Sequence, residues 1–265
     1  WYRAFLDAGS RADIVPLAYD WSSYKTVVLP TVLILSAADT QRLADFAAAG
    51  GRVVIGYATG LIDEHFHTWL GGYPGAGDGL LRLMLGVRGE EFNILGAEAE
   101  GEPSEIRLAS ADDSVAMDGS TTRLWQNDVN VTGEHAQVLA TYAGEEADEW
   151  ELDGTAAVTR NPYGSGEAYF VGCDLDVADL TKLVRAYLAA SSQENADVLH
   201  TVRASADATF DFYLPRGKKT VELQGIEGEP VILFQAESGG EARLVHRAPQ
   251  RRARGKAVKS EVEYR

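Results

Sequence analysis

Tyr24-Lys25-Thr26-Val27-Val28-Leu29-Pro30, the segment Ser36 to Gly51, and Arg52-Val53-Val54-Ile55-Gly56-Tyr57 together decide the fold class. The first and third are short apolar runs, the pattern of strands buried on both faces of a parallel sheet. The segment between them reads as a helix. Ser36 is placed to cap it, with Asp39 three residues on in the capping-box position more often held by Glu or Gln. Leu43, Phe46 and Ala47 fall at helical spacing, and Gly50-Gly51 ends the run. Strand, helix and strand with short connections make a βαβ unit, so the expected class is a doubly wound α/β sheet. The usual first strand of such a sheet is expected before Trp1, and without it one edge is left unpaired.

On the N-terminal side of this unit, Trp1 to Ala8 has helical composition and stops at Gly9, and Asp13 to Leu17 reads as extended. On the other side, Gly60 to Gly77 is a loop rich in glycine, aromatic and histidine residues, and Gly79 to Leu85 fits a short helix. The pattern then turns to strands at Thr122 to Val131 and Ala136 to Tyr142. Ala156 to Thr159 and Ala168 to Gly172 flank Asn161-Pro162-Tyr163-Gly164-Ser165-Gly166, a hairpin signal. Asp176 to Ala190 returns to helix, with Asp176 as N-cap and an apolar stripe of Leu180, Leu183, Val184, Tyr187 and Leu188. Ser191 to Asn195 is a polar linker. Beyond it come short alternating runs: Val198 to Ala204, Ala208 to Leu214, Lys219 to Leu223, Val231 to Phe234 and Arg243 to His246, with a turn at Pro215 to Lys218. They predict a small antiparallel β-domain that leans on the first. The expected division is residues 1–194, residues 195–248, and a basic tail, 249–265, without apolar periodicity and expected to be disordered.

A net charge of −16 opposes nucleic-acid phosphates and anionic membrane surfaces, so neither is an expected partner. No apolar run reaches the roughly 20 residues that cross a bilayer. The acid is concentrated in Glu98 to Asp113 and Glu145 to Asp153, which read as solvated loops or edges. A single cysteine, Cys173, excludes an internal disulfide and a cysteine-rich zinc site, and suits a cytoplasmic location. A chain that opens on Trp1-Tyr2-Arg3, already helical in character, reads as part of something longer.

Ligands of doubly wound sheets sit at the carboxyl ends of the strands. There, Gly56-Tyr57-Ala58-Thr59-Gly60 leaves a strand end, but Thr59 is no Cys or Ser on a nucleophile elbow. Cys173 follows a strand without a Gly-x-Cys-x-Gly frame, which suits a small buried thiol better than an amidotransferase nucleophile. Asp63-Glu64-His65-Phe66-His67 gathers two carboxylates and two imidazoles within five residues. His65 and His67 could share a metal only with a third ligand that the spacing does not offer, so a polar loop at an interface is the favoured reading. Gly71-Gly72-Tyr73-Pro74-Gly75 has glycines but lacks the Gly-Lys-Ser/Thr ending of a phosphate loop. Trp21, Trp69 and Tyr73 could offer stacking faces to a sugar, although burial is the commoner fate of such rings. Retaining glycoside hydrolysis needs two carboxylates about 5 Å apart in a sugar-shaped cleft, and no pair stands out. No cofactor and no metal are expected.

From Tyr2 to Leu95 the chain resembles the trimerisation domain of the family 42 glycoside hydrolases, the bacterial β-galactosidases. The resemblance is carried by Tyr2-Arg3-Ala4-Phe5-Leu6, Ala12 to Pro16, the Tyr24 to Pro30 strand and Ala49-Gly50-Gly51. Gly60-Leu61-Ile62-Asp63-Glu64, Leu70-Gly71-Gly72-Tyr73-Pro74-Gly75, Leu85-Gly86-Val87 and Glu90-Glu91-Phe92 continue it in order. Tyr163 to Tyr169, Val171-Gly172 and Leu175-Asp176 are similar to the end of that domain, and the block after Asn195 to the family's C-terminal domain. The resemblance implies a flavodoxin-like fold related to the class I glutamine amidotransferases without their nucleophile. It implies that the two catalytic glutamates belong to a (β/α)₈ barrel of about 250 residues preceding this region. The chain would then contribute homotrimer contacts and no catalytic residue. Asp63, Glu64, His65, His67, Trp69 and Tyr73 are the residues expected at the subunit interface.

Overall fold

The computed structural model describes residues 1–10, 12–94 and 105–188, together with the backbone of the strands between residues 198 and 247. They form two compact units, one of Ile14–Leu188 with Trp1, the other of Tyr2–Asp13 with the residues from 189 onward. The short N-terminal helix α1 (Tyr2–Asp7) belongs to the second unit.

The first unit starts with β1 (Thr26–Leu29), α2 (Ala37–Ala48) and β2 (Arg52–Gly56), the βαβ unit legible in the sequence. The Ser36 hydroxyl accepts the Asp39 amide at 3.0 Å and donates to the Asp39 carboxylate at 2.8 Å, which supplies acceptors to helix-end donors that have none inside the helix. Thr40, Leu43, Ala44 and Ala47 are the buried stripe of α2. Arg42, on the same helix, donates to the carbonyls of Leu17 and Tyr19 and lies 4.2 Å over the ring of Trp21. Those contacts hold Leu17 to Trp21 against α2.

The chain continues through α3 (Leu80–Leu85), β3 (Val87–Ile94), β4 (Ile106–Ser110), β5 (Thr121–Thr122), β6 (Trp125–Val131) and β7 (Gln137–Ala143). Then come α4 (Glu145–Glu149), β8 (Ala156–Tyr163), β9 (Gly166–Val171) and α5 (Val177–Leu183). Seven strands form one mixed sheet in the order β1-β2-β9-β8-β7-β4-β5. Only β1, β2 and β9 are parallel, and every pairing from β9 outward is antiparallel. The β8–β9 turn at Tyr163 to Gly166 enforces that change, because a two-residue hairpin can join only antiparallel neighbours. Strands β3 and β6 form a separate two-stranded ribbon. The core packs one face of α2 and one of α3 on the parallel strands, with Leu35, Leu43, Ile55, Leu81, Met84, Leu85 and Phe170 fully buried.

Three sequence expectations need correction. Within Glu98 to Asp113, expected as solvated loop or edge, Ile106–Ser110 is a strand paired with β7 on one side and β5 on the other, with Ile106 and Leu108 buried. Glu145 to Asp153 is not all loop: Glu145–Glu149 is a helix, favoured by Glu145, Glu146 and Asp148 in its first turn, where carboxylates meet the positive end of the helix dipole. The helix expected from Asp176 to Ala190 is regular only to Leu183, after which Val184–Leu188 widens into a π-helical turn. The Asp176 carboxylate caps its start by accepting the Asp179 amide at 2.8 Å.

In the second unit, β10 (Val198–Ala204), β11 (Ala208–Pro215), β14 (Val231–Ala236) and β15 (Arg243–Arg247) make a four-stranded antiparallel sheet. The short β12 (Glu222–Leu223) and β13 (Ile226–Glu227) pair with each other. The linker at Ser191 to Asn195, Lys219 and the basic tail lie outside the described residues.

Candidate assembly surface

The loop after β2 is organised by one carboxylate. Ile62 bridges to Ile34 on one side and Thr68 on the other. Asp63 then accepts the amides of His65 and His67, both at 2.8 Å, while its own amide donates to the His67 carbonyl at 2.8 Å. An Asp side chain bonding the backbone two residues on replaces bonds that a regular element would supply. The His67 amide, then that of His65 and the two imidazoles, holds the Asp63 carboxyl below its ordinary range. The His67 imidazole is 3.5 Å from the same carboxylate.

This turn presents a large apolar side chain to water. Phe66 adopts a left-handed φ of 64° and is 75% exposed, and Leu70 is 85% exposed. Leu33 and Ile34, on the segment paired with the loop, are also exposed. A bulky residue at positive φ in the open costs conformational energy and hydrophobic exposure together.

Of the six residues expected at an interface, Glu64, His65 and His67 stand at the surface around Phe66, and Asp63 shapes the turn beneath them. Trp69 and Tyr73 face the body of the unit. Trp69 Nε1 donates to the Leu35 carbonyl at 3.2 Å, and the Tyr73 ring meets Phe170 edge-on at 6.1 Å. Trp21 is buried against Phe46. Trp21 belongs to the core, and Trp69 and Tyr73 pack against it.

Tyr73 covers the turn Gly56 to Gly60 at the end of β2. Ala58, at its apex, has φ 57°. A Cβ at Gly56 would lie 1.8 Å from the Pro30 carbonyl oxygen, and Gly60 combines φ 72° with Leu81 at 2.8 Å from any added Cβ. Both glycines are therefore sterically required. The Thr59 hydroxyl is consumed by the Val32 amide at 3.0 Å. The Tyr73 hydroxyl is buried near the amides of Ala58 and Thr59 without a hydrogen bond to either, and burial pushes its pKa up. The strand end is thus a tight turn with Ala58 at positive φ between two required glycines.

Cys173 is buried, and that burial, with Asp174 beside it, pushes its thiol well above the ordinary range. A thiol that stays protonated is no nucleophile, so the amidotransferase alternative has no support. Among the described residues, no three His, Cys, Asp or Glu side chains converge as a metal group, and no helix is long and apolar enough to cross a membrane.

A second surface was not legible in the sequence. Trp125 is sandwiched between Phe92, with ring centroids 4.5 Å apart and planes 11° apart, and Tyr57 at 5.8 Å. Its Nε1 donates to Asn127 Oδ1 at 3.0 Å. Asp174 fixes the start of that strand: it accepts the amides of Trp125 at 2.7 Å, Leu124 at 2.8 Å and Arg123 at 3.3 Å, and the Thr122 hydroxyl at 2.6 Å. Burial opposes its ionisation, but those four donors prevail and hold its pKa below the usual value. The rings come from three separate strand ends, so no local spacing announces them.

Residues 1–194 match the β-galactosidase trimerisation domain family. The chain is 34% identical over 238 residues to β-galactosidase BbgII of Bifidobacterium bifidum, an alignment covering 87% of this chain and 32% of that protein. A crystal structure of β-galactosidase from Bifidobacterium adolescentis shows 93% identity over 72% of this chain and 86% of that one, with a TM-score of 0.36. The cold-adapted β-galactosidase from Rahnella sp. R3 shares the fold, with a TM-score of 0.72 over 89% of this chain and 36% of that one at 24% identity. The chain spans about a quarter to a third of the length of the curated relatives it matches. The chain belongs to the trimerisation-domain family of the family 42 β-galactosidases.

Proposed function

We propose that this chain is the assembly portion of a β-galactosidase, holding three copies in a ring and contributing no catalytic residue of its own. The parent enzyme hydrolyses terminal β-D-galactosides with retention, in the cytoplasm, through two glutamates on a barrel that is this chain's second partner after itself. The β1-β2-β9 half of the sheet is what remains of a flavodoxin- or amidotransferase-like fold. The observations that support the reading are the match of residues 1–194 to the trimerisation-domain family and the exposed apolar tip, Phe66, on the ordered Asp63 turn.

The subunit contact is assigned to the Asp63 loop. Glu64, His65 and His67 surround Phe66, Asp63 holds the turn, and Trp69 and Tyr73 buttress it from within. An exposed apolar tip on a rigid turn is worth its cost if a partner removes it from water. The test is turnover of a chromogenic β-galactoside by the purified chain. No release of chromophore is expected. Cleavage that Glu64→Gln abolished would overturn the reading.

A further inference from the structure

An aspartate followed by glycine is the dipeptide in which a backbone most readily rewrites itself. The glycine nitrogen is near the aspartate side-chain carboxyl carbon, and glycine carries no Cβ to obstruct the approach. The sequence has three such pairs, Asp78-Gly79, Asp118-Gly119 and Asp153-Gly154, and no Asn followed by Gly. All three aspartates are exposed. Composition ranks them equally, and their surroundings do not.

Two of the pairs form a matched comparison. Asp118-Gly119 and Asp153-Gly154 are each the centre of a type II turn, with Gly119 at φ 79° and Gly154 at φ 78°. The turns are closed by the Ser120 amide on the Met117 carbonyl at 2.9 Å and the Thr155 amide on the Leu152 carbonyl at 2.8 Å. In each, the aspartate carboxylate accepts one backbone amide, from Ser110 at 2.9 Å or from Gly144 at 3.1 Å. Both glycines stand in open space. The difference lies at the nitrogen. The Gly154 amide donates to the Tyr142 carbonyl at 3.0 Å, whereas among the described residues nothing accepts the Gly119 amide. At the third pair the Gly79 amide donates to the Gly75 carbonyl at 2.9 Å, and Asp78 is itself held at φ 53°.

We infer that Asp118 is the modification site at which this chain isomerises to isoaspartate. The Gly119 nitrogen bonds to Asp118 Cγ, the amide proton and the carboxyl hydroxyl leave as water, and a succinimide ring closes. Water then adds back to one of the two ring carbonyls. Opening at Cγ restores aspartate, and opening at the main-chain carbonyl leaves the backbone running through the side chain. Nothing is oxidised or reduced, and water is the only co-reactant. A nitrogen bonded to a carbonyl must release it first, which holds Gly79 and Gly154 back by about three- to tenfold, and Gly119 has no such bond to release. The product falls between anchored residues. Met117 and Ser120 are buried, the Ser120 hydroxyl donates to Asp179 at 2.6 Å and accepts from Lys182 at 3.2 Å, and β5 follows at once on the edge of the sheet. An added main-chain carbon there displaces the carboxylate from the Ser110 amide and loosens β5. The isoaspartyl carboxyl is a substrate for carboxyl methyltransferases that use S-adenosylmethionine.

The test is to age the full chain for weeks at neutral pH, digest it, and read isoaspartate at each site by liquid chromatography with electron-transfer fragmentation. In the folded chain Asp118 is expected to lead Asp78 and Asp153 by about three- to tenfold. In urea the three sites are expected to accumulate alike, because the hydrogen bonds that separate them are gone. Asp118→Glu keeps the charge but would need a larger ring, and it is expected to lose most of the methyl groups that an isoaspartyl carboxyl methyltransferase adds to the aged protein. Equal yields at the three sites of the folded chain, a lead at Asp78 or Asp153, or no isoaspartate at Asp118 would overturn the assignment.

Discussion

Asp174→Ala tests how the stacked aromatic surface is held. The carboxylate accepts three backbone amides and one hydroxyl, at 2.6 to 3.3 Å. Hydrogen bonds to a charged group contribute about 1.5–3 kcal/mol each when the partners are left buried without them. Here Asp174 is partly exposed and the Arg123 and Leu124 amides are at the surface, so water replaces much of what is lost. The net cost is about 2–3 kcal/mol, dominated by the Trp125 amide and the Thr122 hydroxyl. For a unit of this size that lowers Tm by roughly 5–10 °C. Urea unfolding followed by tryptophan fluorescence measures it. The pH dependence supplies a second check. The folded pKa of Asp174 is depressed, so its contribution is fully present above the unfolded value, about 3.9, and is lost as pH falls through the folded one. The gap between wild type and variant is therefore wide at pH 7 and closes below about pH 4. Equal stability at pH 7, or a gap that widens in acid, would refute the reasoning.

Other consequences follow from single residues. Gly56→Ala places a Cβ 1.8 Å from the Pro30 oxygen and is expected to cost more than about 3 kcal/mol, whereas Ala58→Gly relieves a positive φ and is expected to be neutral or stabilising by up to about 1 kcal/mol; paired thermal melts compare them. Asp128 has a raised folded pKa, so the stability it contributes is present below its unfolded value and lost as pH rises. Asp128→Asn should accordingly raise the urea midpoint at pH 7 and have no such effect at pH 3. Cys173 should react with iodoacetamide only in denaturant, and rapid labelling of the folded chain would contradict its burial. Ser36→Ala should cost about 1 kcal/mol, read from the same urea titration, because it strips the cap of α2.

The parts of the fold set by neighbouring residues were legible in the sequence. The Ser36 cap, the Leu43–Ala47 stripe and the two apolar runs fixed β1-α2-β2, and the turn at Tyr163 to Gly166 fixed the β8–β9 hairpin. Strands β3 and β4 were missed because Val87–Ile94 and Ile106–Ser110 are mixed in polarity, and their pairing with β6 and β7 is long-range. The mixed character of the sheet was hidden for the same reason: β9 reaches β2 only after the whole stretch between them has folded. At the candidate surface, the Asp63 turn was visible as a cluster of polar residues, but the inward direction of Trp69 and Tyr73 was not. Composition permits either fate for an aromatic ring, and only the position of Leu35 and Phe170 decides it. At the end of β2 the sequence drew attention to Thr59, whose hydroxyl is taken by the Val32 amide; the positive φ of Ala58 beside it is a property of the folded backbone.

The role proposed for this polypeptide is to bring like copies together. Sedimentation equilibrium of the purified 265-residue chain near neutral pH measures that directly. A single species of three times the 28.6 kDa chain mass is the expected result, and a monomer throughout the micromolar range would contradict it.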